Sequence, residues 1–328
     1  MDLLTTGLLH NRRQYNMSKS YLYNGNIEVW SNDKTITSQL HLILKAPKFI
    51  NYMERLENED VLDVSSVRID AVKWFCNPAK PDPTKLGFLY MELVAVDKRN
   101  NIAVPGVVFL RGDAVAVYIR VEVDGVEYVI LTKQVRAPLG EDILEIPAGM
   151  MDASSNFAGV AMKELSEETG LTPPNIDDLI PLGVPIIPSG GGCDERIQLY
   201  YWKTTMTGET KERMKSRIFG AADENESIQL VFVEADEYED QLLEMGDVKA
   251  ICAHQFAKLM GLIRYTDFES ESSMDYVPSD HFEDAMDELP VSLPDMFPQT
   301  FQDWFLVVGL YLIAPVLILK LVSFIQPV

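Results

Sequence analysis

The rhythm of hydrophobic and polar positions changes along this chain, and each change marks a predicted element. Up to residue 67, short apolar runs at 21–30 and 40–49 interrupt polar stretches. This region, residues 1–71, reads as an N-terminal extension, part of it strand, packed on a main domain or on a second subunit. From residue 72 onward β-branched and aromatic residues crowd into short segments at 88–96, 104–110, 114–123 and 128–134. Turn-forming groups separate them: Asp97-Lys98-Arg99-Asn100-Asn101, Arg111-Gly112-Asp113 and Asp124-Gly125. Strands are predicted on this pattern. Asp124-Gly125 between apolar runs marks a hairpin, because the favoured two-residue turn needs positive φ at both positions.

At 157–169 the period lengthens: Phe157, Ala161 and Leu165 recur every four residues, the spacing of one helix face. Strand-like runs return at 180–187, 196–202 and 228–233, followed by helical stretches at 235–245 and 248–263. A helix between groups of strands, closed by further helices, predicts an α/β fold, an α/β/α sandwich around a mixed sheet over residues 72–264. No internal repeat is visible.

The character then shifts. Residues 265–303 gather acidic side chains without a Lys or Arg, broken by Pro278, Pro290, Pro294 and Pro298, and predict an acidic disordered linker. Residues 305–319 are apolar without a break, and Lys320 is followed by Leu-Val-Ser-Phe-Ile. About twenty such residues match the core of a bilayer. Trp304 suits one interface, and Lys320 can snorkel toward the other. Residues 304–325 are therefore expected to form a C-terminal transmembrane tail anchor, with the rest of the chain facing the cytosol. A buried or oligomerisation helix containing Pro315 is the alternative.

Composition narrows the chemistry. A net charge of −22 over 328 residues disfavours nucleic acid as a partner, since a polyanion is repelled. A small anionic substrate stays open, because a divalent cation can screen it from carboxylates. Cys76, Cys193 and Cys252 form no CxxC pair, which argues against a disulfide framework and a zinc site. The histidines, His10, His41, His254 and His281, sit beside no Ser or Cys in a recognisable motif.

The chemical signal is Lys163-Glu164-Leu165-Ser166-Glu167-Glu168-Thr169-Gly170-Leu171. On a helix, Glu164, Glu167 and Glu168 share one face, within an arc of about 100°. Carboxylates crowded this way repel one another, and a hard cation such as Mg²⁺ or Mn²⁺ relieves them. A solvated acidic face is the alternative.

Together with Gly149 this stretch resembles the signature of the Nudix hydrolases, G-x5-E-x7-R-E-U-x-E-E-x-G-U, where U is a bulky aliphatic residue. Ser155 stands in place of the first Glu and Lys163 in place of the Arg; in the family these form a supporting pair. The carboxylates of Glu164, Glu167 and Glu168, which the resemblance makes metal ligands, are all present.

The resemblance extends over roughly residues 72–265 and looks most like ADP-sugar and ADP-ribose pyrophosphatases, the plant-type ADP-sugar diphosphatases above all. Glu145-Ile-Pro-Ala-Gly149 matches the run entering the box, where the carbonyl of Ala148 would be a metal ligand. Gln134-Val-Arg136 matches a segment of those enzymes whose Arg lies near substrate, which implies the same for Arg136. Pro188-Ser-Gly-Gly-Gly-Cys-Asp-Glu195 matches a loop that implies substrate contacts at Gly191 and Glu195, with Cys193 as a packing residue. Glu224 and Glu226 match a later loop, the first as general base and the second as a metal ligand. The family reading thus implies Mg²⁺-dependent hydrolysis of a nucleoside-diphosphate sugar, with Glu224 and Glu168 at the catalytic centre, in a homodimer. Two other readings stay open: a membrane-tethered binder of nucleotide sugars with weakened catalysis, and a Nudix enzyme for another nucleoside diphosphate derivative.

Overall fold

The computed structural model describes residues 20–151, 156–220 and 226–263. A first sheet takes β1 (Tyr21–Tyr23), β2 (Ile27–Trp30), β3 (Leu62–Trp74), β4 (Leu86–Asp97) and β5 (Ile102–Ala103) in that order, with β6 (Val107–Leu110) also on β4. Strands β2 and β3 run parallel and the other pairs antiparallel. Two helices lie between β2 and β3, α1 (Lys34–Ile43) and α2 (Pro47–Glu59). The Asp33 carboxylate accepts the Thr35 and Ile36 N–H groups and starts α1; Pro47 starts α2, where a missing N–H costs nothing. Leu40, Ile43, Phe49 and Met53 are fully buried in one core with Val67, Ile69, Leu89 and Met91.

Part of the N-terminal extension is strand, as expected, but the run at 40–49 is helical. Its apolar positions Ile36, Leu40 and Ile43 follow helical spacing, and their burial decides the matter. The boundary expected at residue 72 falls inside β3, so the first sheet draws on both sides of it.

A second sheet is mixed. Its order is β11 (Ile180–Pro181), β12 (Ile197–Met206), β7 (Ala114–Val123), β8 (Val126–Arg136) and β13 (Gln229–Glu234). Strand β9 (Glu141–Glu145) pairs with β8, and β10 (Ala148–Met150) with β7. Only β12–β7 is parallel among these pairs. Because side chains alternate across a strand, β7 feeds two cores. Val115, Val117 and Ile119 pack with Val160, Ala161 and Leu165 of α3 (Phe157–Thr169). Ala114, Ala116 and Tyr118 pack with Leu242 of α5 (Tyr238–Met245) and with Ala250, Ala253 and Ala257 of α6 (Val248–Leu259). Helices thus cover both faces, and the expected α/β/α sandwich stands.

The predicted hairpin is present, with φ of 50° at Asp124 and 89° at Gly125, and Val123 opposite Val126. The expected strand at 180–187 shrinks to Ile180–Pro181 plus a bridge from Ile186 to Ile197. Pro181, Pro185 and Gly183 break the ladder. A further helix, α4 (Gly208–Lys215), gave no apolar signal because only Met214 is buried. The expected linker at 265–303 and tail anchor at 304–325 lie outside the described residues. Among the described residues, no helix is long and apolar enough to cross a membrane.

Candidate active site

Helix α3 carries the carboxylates, and its placement follows from local chemistry. The Asn156 side chain accepts the Gly159 N–H at 3.0 Å and starts the helix; Gly170, at φ 70°, ends it. Between these caps Val160, Ala161 and Leu165 hold the helix to the sheet, which turns Glu164 and Glu168 toward β10.

Glu168 is 2% exposed. Its Oε2 accepts the Ala148 N–H at 3.0 Å. Burial pushes this carboxyl well above the usual range, and the charges of Glu164, Glu226 and Glu145 push the same way; the Ala148 N–H opposes them. Glu164 lies against the next residue. A Cβ built on Gly149 would fall 1.9 Å from Glu164 Cδ and 2.2 Å from Oε1. Glycine at 149 is therefore needed for space, to let the carboxylate rest on the strand. Two of the predicted ligands meet at the backbone of Ala148 and Gly149.

The other predicted residues spread around this point. Glu167 is partly exposed, and its carboxylate pairs with Lys163 at 3.2 Å. Its carbonyl accepts the Gly220 N–H at 3.0 Å, which brings Gly220 to the end of α3. Gly220 has φ 105°, and a Cβ there would meet Glu226 Cβ at 2.6 Å. Glu226 is thereby held close to the helix, near enough to act on Glu168 and Arg136. Glu224 and Ser155 lie outside the described residues. Lys163, where the signature has Arg, is joined to Glu167 one helical turn away.

Arg136, at the end of β8, donates from Nε to Glu145 Oε1 at 2.7 Å. Glu145 also takes Lys249 Nζ at 3.1 Å, and Lys249 bridges to Asp247 at 2.8 Å. Asp247 in turn accepts the Ile146 N–H. Burial acts to raise the Glu145 carboxyl, but Arg136 and Lys249 outweigh it and hold it below its ordinary value. Glu145 therefore stays charged and fixes the Arg136 side chain.

In the loop 188–195, Gly191 is exposed, and a Cβ there would meet nothing within 4 Å. Glu195 Oε1 lies 2.9 Å from Arg111 Nε. Burial raises its carboxyl, with Arg111 and Lys249 acting the other way. Burial also raises the Cys193 thiol, which removes the thiolate a nucleophile needs.

Among the described residues, no three His, Cys, Asp or Glu side chains already stand as an ion cage. The donor set nonetheless fits a divalent cation. Glu168 is buried with like charges around it and one backbone N–H against them, and hard carboxylate oxygens suit Mg²⁺ or Mn²⁺. Such a cation would rest on Glu164, Glu168, Glu226 and the Ala148 carbonyl, with Glu167 one turn away.

Several residues of this arrangement carry no local sequence signal. Lys249 and Asp247, at the start of α6, lie about a hundred residues along the chain from Glu145 and Ile146.

Residues 110–263 match the NUDIX domain model. A chloroplastic Nudix hydrolase of Arabidopsis thaliana is 31% identical over 230 residues, 66% of this chain and 72% of that protein. The methanol dehydrogenase activator of Bacillus methanolicus is 30% identical over 42% of this chain and 69% of its own length. An ADP-ribose pyrophosphatase of Bacillus subtilis is 29% identical, over 40% of this chain and 65% of its own. The chain belongs to the Nudix hydrolases. It is an enzyme of that family.

Proposed function

We propose that the chain hydrolyses the pyrophosphate bond of a nucleoside-diphosphate sugar, of the ADP-ribose or ADP-glucose kind, to a nucleoside monophosphate and a sugar phosphate. The observation that carries this reading is the meeting of Glu164 and Glu168 at the Ala148–Gly149 backbone, with Glu168 buried. Mg²⁺ held by Glu164, Glu168, Glu226 and the Ala148 carbonyl, with Glu167 nearby, would supply charge neutralisation at the pyrophosphate and a more acidic water.

The chain's own residues divide the remaining work. Arg136, oriented by the charged Glu145, binds a phosphate oxygen. Glu224 takes the proton of the attacking water. Gly191 leaves room for the substrate, and Glu195 with Arg111 lines that side of the loop.

A panel of ADP-ribose, ADP-glucose and UDP-glucose with Mg²⁺, followed by chromatography, tests the reading. Release of nucleoside monophosphate by the wild type, lowered at least about 100-fold in Glu168→Gln, is the expected result. Tight binding without turnover of any member would replace hydrolysis with a binding role, and full activity in Glu168→Gln would remove Glu168 from the centre.

A further inference from the structure

Arg55 lies on α2, outside the stretch matched by the family model, yet it reaches into the substrate loop. Its Nη2 stands 3.4 Å from Asp194 Oδ2, and Nη1 is 3.5 Å from the Asp194 carbonyl and 3.8 Å from Asp113 Oδ1. The Asp194 side chain is 3% exposed. Its other oxygen, Oδ1, accepts the N–H groups of Arg111 at 2.7 Å and Gly112 at 3.0 Å. A carboxylate this buried is stable only when its oxygens are matched by donors, and here the donors come from two separate segments.

The corner at 111–113 then touches the site twice. The Asp113 carbonyl accepts the Met151 N–H at 2.9 Å, directly after β10. Arg111 Nε faces Glu195 Oε1 at 2.9 Å. The Phe109 N–H bonds to the Gly192 carbonyl at 2.7 Å and the Ala114 N–H to the Arg196 carbonyl at 2.9 Å, so the corner grips the loop before and after Asp194. Lys48, also from α2, packs its methylenes against Gly112, where a Cβ would meet Lys48 Cε at 2.9 Å. One corner therefore joins the N-terminal helices, the loop and the strand on which Glu164 and Glu168 rest.

We infer that Arg55 and Asp194 are positioning residues: through the 111–113 corner they set the loop 188–195, with Arg111 and Glu195, against the nucleotide diphosphate. The N-terminal region thereby completes the substrate side of a site whose metal side would draw on the box, on Ala148 just before it and on Glu226. This rests on the hydrolase reading in one respect, that the loop contacts substrate.

The test uses the full chain with ADP-ribose and Mg²⁺, comparing Arg55→Met, Arg55→Lys, Asp194→Asn and the Arg55→Met/Asp194→Asn double variant. Arg55→Met is expected to raise KM about tenfold with kcat within about twofold, the sign of lost binding rather than lost chemistry. Arg55→Lys recovers part of that loss. The double variant is no worse than Asp194→Asn alone, because both changes remove one connection.

A folded Arg55→Met with wild-type KM, or effects that simply add, would overturn the inference. If Arg55→Met does not fold, Arg55→Lys takes its place in the same cycle with Asp194→Asn. A wild type that turns over nothing defeats the hydrolase reading alone. Calorimetric binding of ADP-ribose across the variants then decides, an unchanged Kd overturning the positioning role. A wild type that neither turns over nor binds overturns both.

Discussion

Gly149→Ala separates the site from the fold more cleanly than any ligand substitution. The added methyl would fall 1.9 Å from Glu164 Cδ, whereas ordinary contact begins at 3.4 Å. The carboxylate must retreat by about 1.5 Å, and it can, because the obstructing atoms are the end of a flexible side chain. Stability should therefore change little, by less than about 1 kcal/mol. Activity should not be spared. A reacting group or ligand misplaced by about 1 Å can cost on the order of 100-fold, so kcat/KM is expected to fall by about that factor. The apparent Mg²⁺ requirement should rise in the same variant, because one carboxylate has moved from its place. Thermal melting beside a Mg²⁺ titration of turnover reads both effects. Activity within about threefold of wild type in a folded Gly149→Ala would refute the placement of Glu164. A loss of fold would refute the view that glycine is there for the carboxylate.

Gly106→Ala is the opposite case: its Cβ would meet the Leu93 carbonyl oxygen at 1.9 Å, and that backbone belongs to β4 and cannot swing aside. Urea unfolding should show a loss of about 1–3 kcal/mol, and a change under about 0.5 kcal/mol would show that β4 yields. His254 is 3% exposed, with Tyr118 Oη 3.0 Å from Nδ1 and Glu239 Oε1 3.2 Å from Nε2, and with Tyr238, Lys258 and Arg120 also around it. Burial lowers its pKa, with Lys258 and Arg120 adding and Glu239 opposing. The unfolded chain therefore takes up the proton first, and stability intact above about pH 6.5 is lost as pH falls below it. Melting between pH 7.5 and 5.5 should fall more in wild type than in His254→Gln, and equal slopes would exclude His254 as the cause.

What the sequence makes legible is what the chain computes locally. Phe157, Ala161 and Leu165 recur at one helical pitch, and a single helix must bury a stripe with that pitch, so α3 could be read with its bounds. The same pitch places Glu164 and Glu168 one turn apart, and Gly149 enters through a fixed spacing, so the meeting of these three could be anticipated before any fold was known. The hairpin at Asp124-Gly125 was legible because two adjacent residues alone must supply its dihedrals.

Segment 180–187 misled because its apolar content is real but serves packing: Leu182 is fully buried while Pro181, Gly183 and Pro185 prevent a ladder. Arg136, Gly191 and Glu195 could be named from motifs, but the residues that hold them escaped for a different reason. Arg55 and Asp194 are 139 residues apart, and Lys249 and Glu145 are 104 apart, so no periodicity relates them. Arg55 and Lys249 each read as an ordinary surface charge until the fold brings them to Asp194 and Glu145. The carboxylates of α3 can be written into one helix because they need only share a face. The orientation of Arg136 and of the loop depends on charges fixed from several elements, and that can be specified only by the whole fold.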